Sequence, residues 1–180
     1  MKATQTFLES HVWERKHIEC PYELLERLFC FISLEELKSD LRGKAIYCYR
    51  RKIFNKRNLP DIFWNYVIIK SAIRAAYLLN LMDKKYRKDL LIENDNNQKN
   101  AFTSALTLKE SQNPYLVLKR VFKQTNLDDL EIVLLELIDF SLRTDGDEPS
   151  WDLLTPYIQI NQILDTCWLI NERSIESVSN

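Results

Sequence analysis

The sequence predicts an all-α fold, a single-domain multi-helix bundle of about seven to nine helices. Only two of its 180 residues are glycine, whereas average usage of roughly 7% would supply about a dozen. Strand-rich folds and glycine-rich phosphate loops need glycine for positive φ, so both are disfavoured. In addition, apolar residues recur at helical spacing between breaks made of Asn, Asp, Ser, Thr or Pro. We therefore expect one helical domain over residues 1–172 and a flexible tail over 173–180.

The first two predicted helices lie on either side of a proline. Thr4 or Thr6 is expected to open a helix that reaches about residue 19, with Trp13 and Ile18 near its apolar face. Pro21 ends this helix and begins the next, because proline is well tolerated in a first helical turn.

A capping signal marks the third helix. Ser33 and Glu36 have the spacing of a capping box, which predicts a helix over about residues 34–55. Gly43, inside that helix, indicates a bend or a close helix crossing. Pro60 begins a fourth helix, which reaches about residue 82 and is apolar nearly all round, as expected of a buried helix.

The C-terminal half is expected to contain four more helices. The first is a short candidate, the third is apolar on most sides, and polar loops are predicted over 94–100 and 144–150. The four helices are predicted at residues 101–110, 114–124, 127–142 and 155–170.

Charge is distributed very unevenly along the chain, although the formal net charge is only −1. Residues 42–88 contain 13 basic and 2 acidic residues, a net charge of +11. Residues 128–180 contain 2 basic and 12 acidic residues, a net charge of −10. Such an asymmetry is typical of a protein whose charges pair with an oppositely charged surface, which can belong to the same chain, to a second copy or to another partner.

The densest basic stretch, residues 42–57, contains seven cations and no acid. Its aromatic side chains are of the kind that stacks on bases while cations neutralise phosphates. On a helical projection, however, Lys44 and Arg51 lie opposite the other cations, so no clean phosphate-tracking stripe forms. The candidate contacts for phosphates or an acidic partner are Arg42, Lys44, Arg50, Arg51, Lys52, Lys56, Arg57, Lys84, Lys85, Arg87 and Lys88.

The sequence contains few residues suited to catalysis or metal binding. Its two histidines, His11 and His17, flank Glu14 at three-residue steps, but a di-iron bundle needs a second such motif with a further histidine. The acidic residues of 145–148 and Asp152 lack the ligand spacing of an EF-hand loop, and helix capping accounts for them. We predict no catalytic residue, metal ligand or cofactor, and we do not expect an enzyme.

Other features favour a cytoplasmic protein. The four cysteines form no CxxC pair and have apolar neighbours, which predicts free, buried thiols. The first ten residues lack the apolar stretch of a signal peptide. The most apolar long window contains Lys70 and Arg74, so a membrane-spanning role is not expected.

These observations predict a non-catalytic helical protein-interaction module that self-associates through its basic region (residues 42–88) and its acidic region (residues 128–180). Two alternatives remain open. One is a nucleic-acid-associated regulator that binds phosphates through the basic region, although no helix-turn-helix signature supports it. The other is a small-ligand binder or enzyme whose site lies in the helical core.

Overall fold

Seven α-helices and no strand are found in the residues that the computed structural model describes, namely 8–48, 50, 54, 58–84, 87, 105–143 and 152–179. This architecture confirms the predicted all-α bundle and its number of helices. The predicted loops at 94–100 and 144–150 lie outside the described residues. The helices are α1 (Pro21–Phe31), α2 (Leu34–Tyr47), α3 (Leu59–Leu81), α4 (Leu108–Gln112), α5 (Tyr115–Gln124), α6 (Leu127–Leu142) and α7 (Leu154–Ser179).

Helices α3 and α7 form the centre of the bundle. Helix α3 packs against α1, α5, α6 and α7, and α7 packs against α1, α2, α3, α5 and α6. Small residues of α3, such as Ala72 and Ala76, are fully buried and let neighbouring helices approach closely. Between residues 159 and 171 of α7, every side chain is buried except Gln162 and Trp168, which are half-buried. The apolar pattern of α3 therefore reflects burial on most sides, as expected.

Helix α6 does not share this burial, although its sequence is also apolar on most sides. Leu130, Leu134 and Leu137 face the core, but Ile132 and Leu135 remain about half exposed, at 50% and 53%. The apolar pattern of α6 therefore does not reflect burial on most sides, and α7 instead shares the centre of the bundle with α3. The apolar outer face of α6 is left open to solvent.

The predicted first helix is wrong over the residues that the structure describes. Between residues 8 and 20 the chain forms only a short 3-10 helix, Ser10–Val12. The buried Ser10 hydroxyl donates to the Lys16 carbonyl (2.8 Å) and accepts from the Ile18 amide (2.8 Å). These hydrogen bonds of the serine side chain take the place of the backbone hydrogen bonds of a helix. Serine side chains often compete with the backbone in this way near turns.

Helix α2 begins at the predicted capping box, which is present with both reciprocal hydrogen bonds, but ends at Tyr47 instead of about residue 55. Beyond it, Phe54 packs back against α2 and its amide donates to the Ser141 carbonyl (2.8 Å). A Cβ atom at Gly43 would lie 2.6 Å from the Phe54 ring. Gly43 therefore allows the close approach that the sequence indicates, but the neighbour is this aromatic ring.

Two helix boundaries in the C-terminal half differ from expectation. Residues 101–104 of the short helix predicted over 101–110 lie outside the described residues. In the described part, α4 begins at Leu108, where Thr107 and Glu110 form a capping box that sequence reasoning missed. Helix α7 runs to Ser179, well past the predicted end near residue 170. Arg173 of α7 donates to the carbonyls of Ser111 (2.6 Å) and Gln112 (3.2 Å). Helix α7 thus continues across the predicted boundary at 172/173.

Candidate functional site

The candidate cations divide into those that the structure describes and those that it does not. Arg42, Arg50 and Lys84 are exposed, whereas Arg87 is half-buried and Lys44 is buried. In the part of the chain that the structure describes, the three exposed cations form no ion pair. The other six candidates lie outside the described residues: Arg51, Lys52, Lys56, Arg57, Lys85 and Lys88.

Lys44 departs from its predicted role as a surface contact. Its side chain is only 1% exposed, and its ammonium pairs with the buried carboxylate of Asp40, one helical turn earlier in α2. The same ammonium lies 5.8 Å from the centroid of the Phe54 ring. A cation held in this way presents no charge to a phosphate or an acidic partner, so Lys44 is removed from the candidate surface.

Two other candidate cations contact aromatic rings. Arg50 lies 5.6 Å from the centroid of the Tyr47 ring and stays exposed. Arg87 lies 5.0 Å from the centroid of the Tyr115 ring and donates to the Asn80 carbonyl (2.7 Å). Arg87 is therefore oriented by contacts within the bundle, whereas Arg50 remains accessible to a partner.

Opposite charges of the basic and acidic regions pair at one place in the described structure, between α3 and α6. On α3, Arg74 binds both carboxylate oxygens of Glu131 on α6 (Nε–Oε1 2.5 Å, Nη2–Oε2 2.9 Å) and lies 2.8 Å from a carboxylate oxygen of Glu9. Lys70 lies 3.1 Å from Glu9 and 3.6 Å from Glu131. The hydrogen bond to Glu131 raises the pKa of Arg74 above its ordinary value. Two cations and two carboxylates thus neutralise each other within the fold.

A second internal ion pair involves the acidic region but not the basic one. Asp165 on α7 is fully buried and accepts hydrogen bonds from the Lys38 ammonium (2.6 Å) and the Ala105 amide (3.1 Å). Burial raises the pKa of Asp165, and the two donors partly oppose that change. Sequence reasoning missed this pair, because nothing in the local pattern distinguishes Asp165 from an exposed acid.

The outer face of α6 carries apolar and acidic side chains that the bundle leaves open. Asp128, Ile132, Leu135 and Asp139 are all exposed, and at about 100° per residue they fall within roughly 60° of arc. We call these four residues the α6 ridge. Asp139 pairs with Arg143 at the surface, whereas Asp128 forms no ion pair within the described part of the chain. Between Leu127 and Leu142, α6 contains five carboxylates and no lysine or arginine.

One acid beside the α6 ridge is poorly compensated. Glu136 is half-buried, and its Oε2 atom is buried with no hydrogen-bond partner in the described structure. Burial raises the pKa of this carboxyl, and the like charge of Asp139 adds to the effect. A cation brought close by a partner would stabilise the ionised carboxylate, so Glu136 is a further reason for this surface to favour a positively charged partner.

An apolar groove lies between α2, α6 and the start of α7. Its volume is about 400 Å³, which is within the range of protein binding pockets. We call it the α2–α6–α7 groove. Among the described residues that line it, Arg42 is the one charged residue, and none is a nucleophile or a carboxylate. Those residues are Arg42, Ala45 and Ile46 on α2, Leu137 on α6, and Leu153, Leu154 and Tyr157 at the start of α7.

The histidine and carboxylate candidates do not converge. His11 and His17 are exposed and do not share a helix, because the segment between them is not helical beyond Val12. His17 lies 3.5 Å from Glu19 instead. Asp152 accepts hydrogen bonds from the Leu154 and Thr155 amides and so begins α7. The residues that the structure describes contain no group of three His, Cys, Asp or Glu side chains able to hold a metal ion.

The cysteines are all free, but only two are buried, so the prediction of four buried thiols is half wrong. Burial raises the pKa of Cys48 to about 11 and the pKa of Cys167 well above its ordinary value. Cys20 and Cys30 are exposed.

Helix α3 is long and apolar enough to span a bilayer by length and composition, and 61% of its most apolar window is buried inside the bundle. Burial of that kind is also what the central helix of a bundle shows.

Comparisons of the chain with protein-family models, curated proteins and solved structures found no match.

Proposed function

We propose that this protein is a non-catalytic helical interaction module that self-associates through the basic region (residues 42–88) and the acidic region (residues 128–180). The observation that carries the proposal is the charge that stays unpaired among the residues that the structure describes. Internal pairing satisfies Lys44, Lys70 and Arg74. It leaves exposed cations at Arg42 and Arg50 and an acidic, apolar ridge on α6.

The composition of the ridge supports this proposal further. Exposed large apolar side chains flanked by carboxylates are typical of interaction surfaces, and scattered single ones are not. Ile132 and Leu135 stand next to each other on one helix face, with acids one turn away on either side. Such a face suits a partner that offers both apolar contact and positive charge.

Sedimentation velocity at roughly 50 mM and 500 mM salt tests the proposal, because the screening length of exposed charges falls from roughly 14 Å at the lower concentration to roughly 4 Å at the higher one. We expect a concentration-dependent increase in sedimentation coefficient at low salt that weakens at high salt. The double variant Asp128→Asn, Asp129→Asn should weaken association, whereas the double variant Glu26→Gln, Glu35→Gln, which removes two exposed acids outside the acidic region, serves as the matched control. A strict monomer at every concentration and salt would overturn the proposal.

The competing function is phosphate binding by the basic region. Arg42, Arg50 and Lys84 are the described candidates whose charge is accessible. A fluorescence-anisotropy titration with a labelled single-stranded oligonucleotide near 50 mM salt separates the two functions. Binding that falls steeply as salt rises, with no protein self-association, would favour nucleic acid, because several phosphate contacts must produce a steep salt dependence.

A further inference from the structure

We infer that the α6 ridge of one molecule docks into the α2–α6–α7 groove of a second copy, so that the protein assembles head to tail. This inference rests on the proposed self-association and names the two surfaces that carry it. It commits the groove to one occupant, the α6 helix of another copy of the chain.

The two surfaces match in chemistry. The described lining of the groove is apolar except for Arg42 and Tyr157, and Arg42 has no ion pair within the described residues. The ridge has the opposite arrangement, with two aliphatic side chains, Ile132 and Leu135, between aspartates. An engineered cavity of about 150 Å³ takes up one benzene molecule. A groove of about 400 Å³ therefore has room for both aliphatic side chains.

Charge also favours this pairing over a second copy of the same surface. Two ridges facing each other would bring Asp128 and Asp139 of both copies together, with Glu136 beside them, which like-charge repulsion opposes. Placing the ridge on the groove brings those acids towards Arg42. Glu136, whose Oε2 atom has no hydrogen-bond partner in the described structure, would then gain a nearby cation.

The positions of the two surfaces determine the kind of assembly. Leu137, which lines the groove, points about 170° away from the centre of the ridge on α6. The ridge and the groove are thus on opposite sides of this helix, and one molecule can use both at once. Contacts between two different surfaces give rings or filaments instead of a closed two-fold dimer. The inference therefore predicts species larger than a dimer.

Mixing two complementary variants tests the inference. Ile132→Ser, Leu135→Ser removes the apolar part of the ridge and leaves the groove intact. Arg42→Glu reverses the charge of the groove and leaves the ridge intact. All three positions are exposed, so their replacement is expected to leave the fold unchanged. The controls are Leu116→Ser, an equally exposed leucine on α5, and Lys119→Glu, an exposed cation on the same helix.

Sedimentation velocity at low salt gives the readout. The unmodified protein and both controls should form a series of species beyond the dimer. Each ridge or groove variant alone should associate at least about tenfold more weakly. An equimolar mixture of the two should form a 1:1 dimer that cannot grow, because each partner retains one working surface.

The outcomes separate this inference from the proposed function. A mixture that stays monomeric, a groove variant that associates as strongly as the unmodified protein, or an unmodified protein that stops at the dimer would overturn the head-to-tail contact while self-association stands. An unmodified protein that remains monomeric would overturn the proposed self-association itself.

Discussion

Removing the charge of Lys38 should destabilise the bundle more than removing the charge of its partner, Asp165. The pair links α2 to α7, and the Asp165 side chain is fully buried whereas that of Lys38 is 20% exposed. Lys38→Met keeps the length of the side chain but leaves a buried carboxylate with only the Ala105 amide as a donor. In Asp165→Asn, by contrast, the ammonium of Lys38 can turn to solvent.

The magnitude follows from this asymmetry of burial. Breaking a buried ion pair by removing one partner costs about 3–5 kcal/mol. Because the Ala105 amide still holds one oxygen of Asp165, we expect the lower end, about 3 kcal/mol, for Lys38→Met. In a domain of this size each kcal/mol lowers Tm by roughly 2–4 °C, so the expected decrease is roughly 6–12 °C. For Asp165→Asn we expect about 1 kcal/mol, the net value of an ordinary hydrogen bond.

The effect should also depend on pH. Burial raises the pKa of Asp165 above its ordinary value of 3.8. The folded state therefore binds the Asp165 proton more tightly than the unfolded state does. The resulting stabilisation is full below pH 3.8 and is lost as pH rises through the raised pKa. Since a neutral Asp165 needs no cation, the destabilisation of Lys38→Met should shrink as pH falls from 7 towards 4.

Thermal and urea denaturation followed by circular dichroism measure these differences, with the exposed Lys119→Met as control. Equal losses for Lys38→Met and Asp165→Asn would refute the reasoning, since the two variants leave very different charges behind. A pH-independent loss in Lys38→Met would refute it as well.

Three further predictions concern the core. Gly43→Ala should lower the free energy of unfolding, measured by urea denaturation, by about 1–2 kcal/mol, because overpacking against the Phe54 ring outweighs the better helix propensity of alanine. The additional change Phe54→Leu should recover part of this loss, and a Gly43→Ala protein more stable than the unmodified one would contradict the prediction. Trp13→Phe should lower the free energy of unfolding by about 1–3 kcal/mol, since it removes the indole hydrogen bond to Ser71 (3.0 Å) at a buried site. A double-mutant cycle with Ser71→Ala should give a positive coupling energy, and the absence of coupling would argue against this hydrogen bond. A thiol reagent such as DTNB should label two cysteines in the native protein and four after unfolding, the early pair being Cys20 and Cys30; rapid labelling of all four would be inconsistent with the packed core.

Local signals in the sequence predicted much of the fold, because caps and helix starts depend on neighbouring residues. The capping box at Ser33 and the Pro-containing start of α3 occur where expected. The segment around Ser10 does not form the predicted helix, since the Ser10 hydroxyl forms hydrogen bonds with a carbonyl six residues away and an amide eight residues away. Helical periodicity carries no information about such contacts.

The candidate surface was less accessible to sequence reasoning. Charge counting predicted where cations and acids are concentrated, and Arg42 does remain exposed. It did not separate Lys44, which Asp40 neutralises in the interior, from the accessible cations. Nor did the apolar pattern of α6 reveal that Ile132 and Leu135 face solvent. The residue type alone does not show which side of an apolar helix its neighbours will cover.

The sequence by itself determined the all-α class, the number of helices and the two opposed blocks of charge, since these follow from composition and from interactions within a few residues. Only the tertiary structure decided which charged side chains are neutralised inside the bundle and which remain exposed on its surface. Packing α3 against α6 brought Arg74 onto Glu131, and packing α2 against α7 brought Lys38 onto Asp165. The same arrangement left the outer face of α6 uncovered. The physical reason is that ion pairing and burial depend on which helices become neighbours, and residues 57 or 127 positions apart in the chain carry no local record of that contact.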